Sequence, residues 1–179
     1  MEEREGCKII NKSLDRPNIF YKVLRSTDME SDLKPYLESL KQLRIKSPRT
    51  IIYCRSLNMC SELYAYFLYE LGEKAYYPDD AEKVSNNRLF GMFHAHTPEY
   101  NKEVILTSLS QEDGVVRTVF ATIALGMGID LKATNTIIHY GAPQSIDDYF
   151  QDSGREGLSG DPAESILEAQ RLSPEKGAN

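Results

Sequence analysis

No apolar run in this sequence exceeds a few residues, well short of the ~20 that a helix needs to cross a bilayer, so a helical membrane span is excluded. The opening MEEREGCKIINKS carries acidic charges and no apolar centre, which argues against a signal peptide and for an intracellular protein. Cysteine is scarce and odd in number. Cys7, Cys54 and Cys60 show no paired metal spacing, so a reducing compartment is expected, with the thiols acting as small core hydrophobes and no zinc. Also missing are any Gly-Lys dipeptide, hence a Walker A phosphate loop, and any Asp-Glu dipeptide, hence the usual metal-holding partner of that loop. A basic excess is absent too: 21 Lys and Arg stand against 27 Asp and Glu, a net charge of −6. Binding to nucleic acid through the overall field is therefore excluded, and any such contact must come from a local surface or from a partner domain that carries the positive charge.

What is present is ordinary for one globular domain. The chain has 179 residues, 41% hydrophobic and 27% charged. Residues 1–13 read as a polar tail, 14–170 as the domain and 171–179 as a second tail, with the apolar pattern fading after Leu167 as in a chain cut from a longer one. Pro17 introduces IFYKVL, whose two alternating sets predict a strand covered at least partly on both faces. Thr27 and Glu30 have capping-box spacing ahead of Leu33, Leu37, Leu40 and Leu43, and Pro35 either kinks that helix or moves its start to near Lys34.

Thr50 to Cys54, TIIYC, is short, apolar and β-branched, as a buried parallel strand should be. Cys60, Leu63, Tyr64, Phe67, Leu68 and Leu71 follow at helical spacing, with Gly72 placed as the C-terminal cap. Lys74 to Tyr77 is expected as the next strand and PDDAEKVSNN as an exposed insertion. Phe93 to Ala95 is either a brief strand or more loop, after which Thr97 and Pro98 suit the N-cap and first turn of a helix through Leu109. Val115 to Ala121 and Thr136 to Tyr140 are further buried strands, and Ser145 to Ser153 a helix. Strands alternating with helices imply an α/β fold with a mainly parallel sheet, helices on both faces, and functional loops at the carboxyl ends of the strands. Those loops are Arg55-Ser56, Thr122 to Asp130, and the turn after Tyr140.

Within the stretch from Val119 to Gly160, the Gly126-Met127-Gly128 turn follows a strand, where glycine lets backbone N–H groups approach an anion. The same stretch carries ATIALGMGID, IIHY and QDSGREGLSG. Together with DRPNIFYKV (Asp15 to Val23) and IIYCRS (Ile51 to Ser56), these strings resemble, in order, the segment entering the second RecA-like lobe of the RecQ family of superfamily-2 DNA helicases and its motifs IV, V and VI. The resemblance spans about three quarters of the chain. It implies a RecA-like three-layer sandwich and a 3′-to-5′ ATP-dependent DNA translocase split between two lobes, this chain being the second. ATP and Mg²⁺ belong to the complete two-lobe helicase, and single-stranded or unwinding DNA and the first lobe are the implied partners. A nuclear location is implied in a eukaryote, a cytoplasmic one otherwise. Carried over by motif, Arg55, Ser56 and Thr122 contact the DNA backbone. Gly128, Asp130, Gln151 and Arg155 face the nucleotide, and Arg155 serves as the arginine finger that stabilises charge developing on the γ-phosphate.

Two departures temper that picture. Lacking the Walker motifs, the lobe alone is expected not to hydrolyse ATP. Motif VI of the family ends in a second arginine where this chain has Leu158, and loss of a finger costs roughly 10³ to 10⁵ in rate in related NTPases. A degenerate, non-catalytic nucleic-acid-binding or interaction module is therefore the alternative, and an unrelated α/β nucleotide-binding enzyme a third. His96 also replaces a family glycine. Simpler roles stand beside the functional ones: His94 and His96 as loop-packed or solvated residues, His139 as a core or strand-end residue, Asp147-Asp148 as dipole-matched helix starters, and Tyr66 and Tyr69 as surface tyrosines beside a packed Tyr64.

Overall fold

The computed structural model describes residues 17–122, 134–141 and 162–169. In chain order these form β1 (Ile19–Arg25), α1 (Met29–Leu43), β2 (Thr50–Cys54), α2 (Leu57–Leu71), β3 (Phe90–Phe93), α3 (Glu99–Ser110), β4 (Thr118–Ala121), β5 (Thr136–Tyr140) and β6 (Ala163–Ala169). The strands make one sheet in the order β1-β6-β5-β2-β4-β3, and every pairing is parallel.

Alternation along the central strands divides the core between two faces. Ile52, Phe120, Ile138 and Ile166 point to the side covered by Leu33, Leu37 and Leu40 of α1 and by Leu63 and Phe67 of α2. Ile51, Val119 and Ile137 point the other way, against Ile105 and Leu109 of α3. Helices thus cover both faces of a parallel sheet, the three-layer arrangement expected. Phe67 anchors the first layer, its ring meeting Phe120 edge-on at 4.9 Å and Phe90 at 5.9 Å. Cys54 and Cys60 are free, buried thiols in that layer, as expected.

Several expected elements fall elsewhere. β1 is not covered on both faces: it lies at the sheet edge with β6 as its one neighbour, Ile19 alone is buried, and Val23 is 74% exposed. β6 itself, AESILEA, has the composition of a helix, and its place between β1 and β5 overrides that propensity. Lys74 to Tyr77 is not a strand. Gly72 to Ala75 make a 3₁₀ turn, and only Tyr76 forms a bridge, antiparallel, to Arg88. The insertion after it is exposed at its tip, where Asp79 pairs with Arg44 at 2.6 Å.

The strand expected near Phe93 to Ala95 ends at Phe93 and begins at Phe90, since Phe90 and Phe93 are the side chains that reach the core. The strand expected from Val115 begins only at Thr118. Both N-caps shift by one residue. Asp28, not Thr27, caps α1 by accepting from Ser31 N–H at 2.9 Å, and the helix starts at Met29 with Pro35 inside it. Pro98 rather than Thr97 occupies the cap position of α3, while Thr97 Oγ1 accepts from His94 N–H at 3.0 Å. Gly72 does cap α2, at φ +50°.

Candidate nucleic-acid interface

Because all strands are parallel, their carboxyl ends share one edge of the sheet. β4, β2 and β5 are adjacent there, about 4.8 Å apart. Register pairs Tyr53 with Ala121 and Cys54 with Tyr140, so Thr122, Arg55 and Gly141 follow within one residue of a common line. Arg55, Thr122 and Gly141, distant in sequence, therefore meet at one edge.

Ser56 ends the turn after β2 in extended conformation and caps α2, its Oγ accepting from Met59 N–H at 3.2 Å. That bond uses an oxygen lone pair and leaves the O–H free to donate outward. No acidic residue lies in the first turn of α2, so the positive end of the helix dipole is uncompensated beside Arg55. Arg55 is exposed and makes no hydrogen bond or ion pair among the described residues. Thr122 is half-buried, with its N–H donating to Phe93 O at 3.2 Å. A guanidinium, a hydroxyl and a helix N-terminus on one edge supply the donors that phosphodiester oxygens accept.

The flanks differ. Beyond β4, His94 is packed into its loop: Nδ1 accepts from His96 N–H at 3.1 Å, and burial, then His96 and Lys102, hold its pKa below the ordinary value. No group of three His, Cys, Asp or Glu among the described residues is placed to hold a metal ion. Beyond β5, Glu168 is only 4% exposed, and burial followed by the nearby Asp32 carboxylate pushes its pKa up to about 7. Asp32 accepts from Ser26 Oγ at 2.6 Å and from Tyr140 OH at 3.4 Å, and burial with Asp32 raises the Tyr140 phenol to about 12. This side carries carboxylates, whereas the β2 end carries the exposed Arg55.

His139 is a core residue, stacked on its register partner Tyr53 at 5.2 Å and pushed by burial to a pKa of about 4. Tyr64 packs edge-on against Phe90 and carries the Arg88 guanidinium over its ring at 5.6 Å, while Tyr69 is exposed. Gly128, Asp130, Gln151 and Arg155, with Leu158, the glycine turn and the helix expected from Ser145 to Ser153, lie outside the described residues. Sequence reasoning placed a functional loop after Tyr140 but missed Asp32 of α1 and Glu168 of β6, whose charges interact across the carboxyl end of the sheet.

A family described as the helicase conserved C-terminal domain matches residues 35–160. The chain is 29% identical over 164 residues to ATP-dependent DNA helicase hus2/rqh1 of Schizosaccharomyces pombe, covering 91% of this chain and 11% of that protein. It is 31% identical over 161 residues to ATP-dependent DNA helicase Q1 of Mus musculus, covering 90% and 22%. It is 32% identical over 149 residues to the bifunctional 3′-5′ exonuclease/ATP-dependent helicase WRN of the same organism, covering 82% and 9%. The chain thus spans under a quarter of the length of each of these relatives. Among solved structures, Mss116p DEAD-box helicase domain 2 bound to an RNA duplex superposes with TM-score 0.63 at 16% identity, covering 84% of this chain and 54% of that one. Mycobacterium smegmatis helicase Lhr bound to ssDNA and AMP-PNP gives 0.62 at 20% identity, covering 84% and 19%. At such identities these two likenesses concern the fold.

Proposed function

From the premise that this chain belongs to the helicase conserved C-terminal domain family, with RecQ-family DNA helicases as its relatives, we propose that it is the second motor lobe of an ATP-dependent DNA helicase. In this role it grips the backbone of single-stranded DNA and closes one side of an ATP site whose other side is the first lobe. The observation that carries the proposal is the convergence of Arg55, Ser56 and Thr122 at adjacent strand ends, with Arg55 unengaged by any other described residue. An uncommitted guanidinium beside an uncompensated helix N-terminus is a phosphate site that leaves the bases unread. That arrangement suits a translocase, and it lets a chain of net charge −6 bind DNA through a local surface.

ATP and Mg²⁺ enter only with the first lobe. Gly128, Asp130, Gln151 and Arg155 are the residues of this chain proposed to face the nucleotide. Arg155 would bring charge to the γ-phosphate, and ATP would supply the energy of translocation. Fluorescence anisotropy with a labelled oligothymidine tests the DNA reading. Salt-dependent binding is expected, weakened by Arg55→Ala, and absence of binding at low salt even with a first lobe joined would sink it.

A second reading, a lobe that binds nucleic acid without powering hydrolysis, is favoured by Leu158, where the family carries an arginine. DNA-stimulated ATPase activity of the joined lobes, with Leu158 and with Leu158→Arg, separates the two. A working motor hydrolyses ATP with Leu158 in place, whereas activity that appears only with the arginine identifies the non-catalytic lobe.

A further inference from the structure

Gly141 stands one residue beyond β5, where the register that sets Cys54 opposite Tyr140 continues to Arg55 opposite Gly141. Its φ of +98° is one that residues with a side chain rarely adopt. A Cβ built there would lie 2.9 Å from Arg55 Cγ, 3.7 Å from Arg55 Nε and closer still to Cδ. The methylene stem of Arg55 therefore passes directly over the bare backbone of Gly141. That backbone is itself anchored, since Gly141 N–H donates to Glu168 O at 2.9 Å and ties the turn to β6.

We propose that Gly141 is a positioning residue for the phosphate contact of Arg55. An exposed arginine free to sample its rotamers loses that freedom on binding, whereas one already laid along a fixed surface loses less. Gly141 supplies the surface by having no side chain, and the bond to Glu168 keeps it in place. Gly141 thereby contributes to DNA binding through Arg55. This inference rests on the reading of Arg55 as a phosphate-binding residue.

The test compares the full chain with its Arg55→Ala, Gly141→Ala and doubly substituted forms, measuring affinity for labelled oligothymidine against salt concentration. Arg55→Ala is expected to weaken binding and to lower the slope of log K against log salt by about one, the signature of one lost phosphate contact. Gly141→Ala, with Arg55 still present, is expected to weaken binding roughly 3- to 10-fold with the slope near that of the wild type, since the contact is still made but at a greater ordering cost. In the Arg55→Ala background Gly141→Ala should change affinity less than about two-fold, because its effect runs through Arg55. The backbone strain of Gly141→Ala persists in that background, so thermal melting separates a stability loss from the binding loss. Wild-type affinity in Gly141→Ala, or losses that add in the double form, overturn the proposal. Wild-type affinity and slope in Arg55→Ala instead overturn the phosphate reading beneath it. Should Gly141→Ala not fold, the Arg55 Nε–Hε order parameter of the unbound wild-type chain decides. A seated Arg55 is more restrained than the exposed Arg25 at the end of β1, and equal mobility overturns the proposal.

Discussion

Arg49 and Arg55 stand at opposite ends of β2, six residues apart, and their surroundings could hardly differ more. Arg49 is 2% exposed, and its guanidinium donates to the carbonyls of Ser108, Leu109, Gln111 and Glu112, closing the C-terminus of α3. Ser108 and Leu109 lie in the last turn of α3 and Gln111 and Glu112 just beyond it, so the arginine supplies donors to carbonyls that the helix itself leaves open. Arg55 has none of this. It lies exposed over Gly141 and makes no hydrogen bond to another described residue. Along β2 the amino end thus carries a structural charge, and the carboxyl end, where α/β sheets bind their ligands, carries an exposed one.

That contrast can be broken most forcefully at Arg49. Arg49→Met leaves buried carbonyls without donors and should cost about 3 kcal/mol of stability, seen as a lowered urea midpoint, with DNA affinity per folded molecule unchanged. A loss of affinity instead would place Arg49 in the interface.

Glu168 gives the next largest effect. Its folded pKa of about 7 lies above the ordinary 4.5, so the folded chain holds the proton longer. Its contribution is fully present below about pH 4.5 and is lost as pH rises to about 7. His139 acts in the opposite sense, adding stability as pH rises from about 4 to 6.5. Glu168→Gln should therefore gain on the wild type between pH 4.5 and 7, by on the order of 2 kcal/mol, and hold that gain above pH 7. Denaturant titrations across pH check it, and a constant difference would mean Glu168 ionises normally.

Arg55→Ala should reverse the pattern of Arg49→Met. Stability should stay within about 0.5 kcal/mol while DNA affinity falls by about 1.4 kcal/mol, or ten-fold. Ser56→Asp is the finest probe of the same edge. Aspartate keeps the cap on Met59 N–H, so melting should change by under about 0.5 kcal/mol. A carboxylate placed beside Arg55 repels phosphate, so affinity should still drop several-fold. Unchanged binding would remove Ser56 from the interface.

Much of the architecture could be inferred from local pattern. TIIYC and TIIHY are β2 and β5 with the expected limits, and the helical spacing from Cys60 to Leu71 is α2 with Gly72 as its cap. Each of these segments is apolar on a clear period, so burial and propensity agree. Arg55, Ser56 and Thr122 could be named from the motifs, while their meeting at one edge depends on the pairing of β2 with β4 and β5. β1 was expected as a strand but not as an exposed edge, and β6 was not expected, since a strand's neighbours decide whether IFYKVLR is covered and whether AESILEA pairs at all. Cap positions slipped by one because Thr27 and Asp28 are adjacent candidates of similar worth, and because the Thr97 hydroxyl accepts from His94 N–H instead of from α3.

By itself the sequence determined the class of fold, the family, the absence of Walker motifs and the replacement of a motif VI arginine by Leu158. These depend on residue identity and short-range order. Tertiary structure decided that β6 inserts between β1 and β5, that the Asp32 charge acts on Glu168, and that Arg49 is structural while Arg55 is unpaired among the described residues. It also decided that Arg55 rests on Gly141, 86 positions away in number yet on the neighbouring strand end. Pairing register, a non-local property set by which faces become buried, brings such residues together, and no local window of sequence contains it.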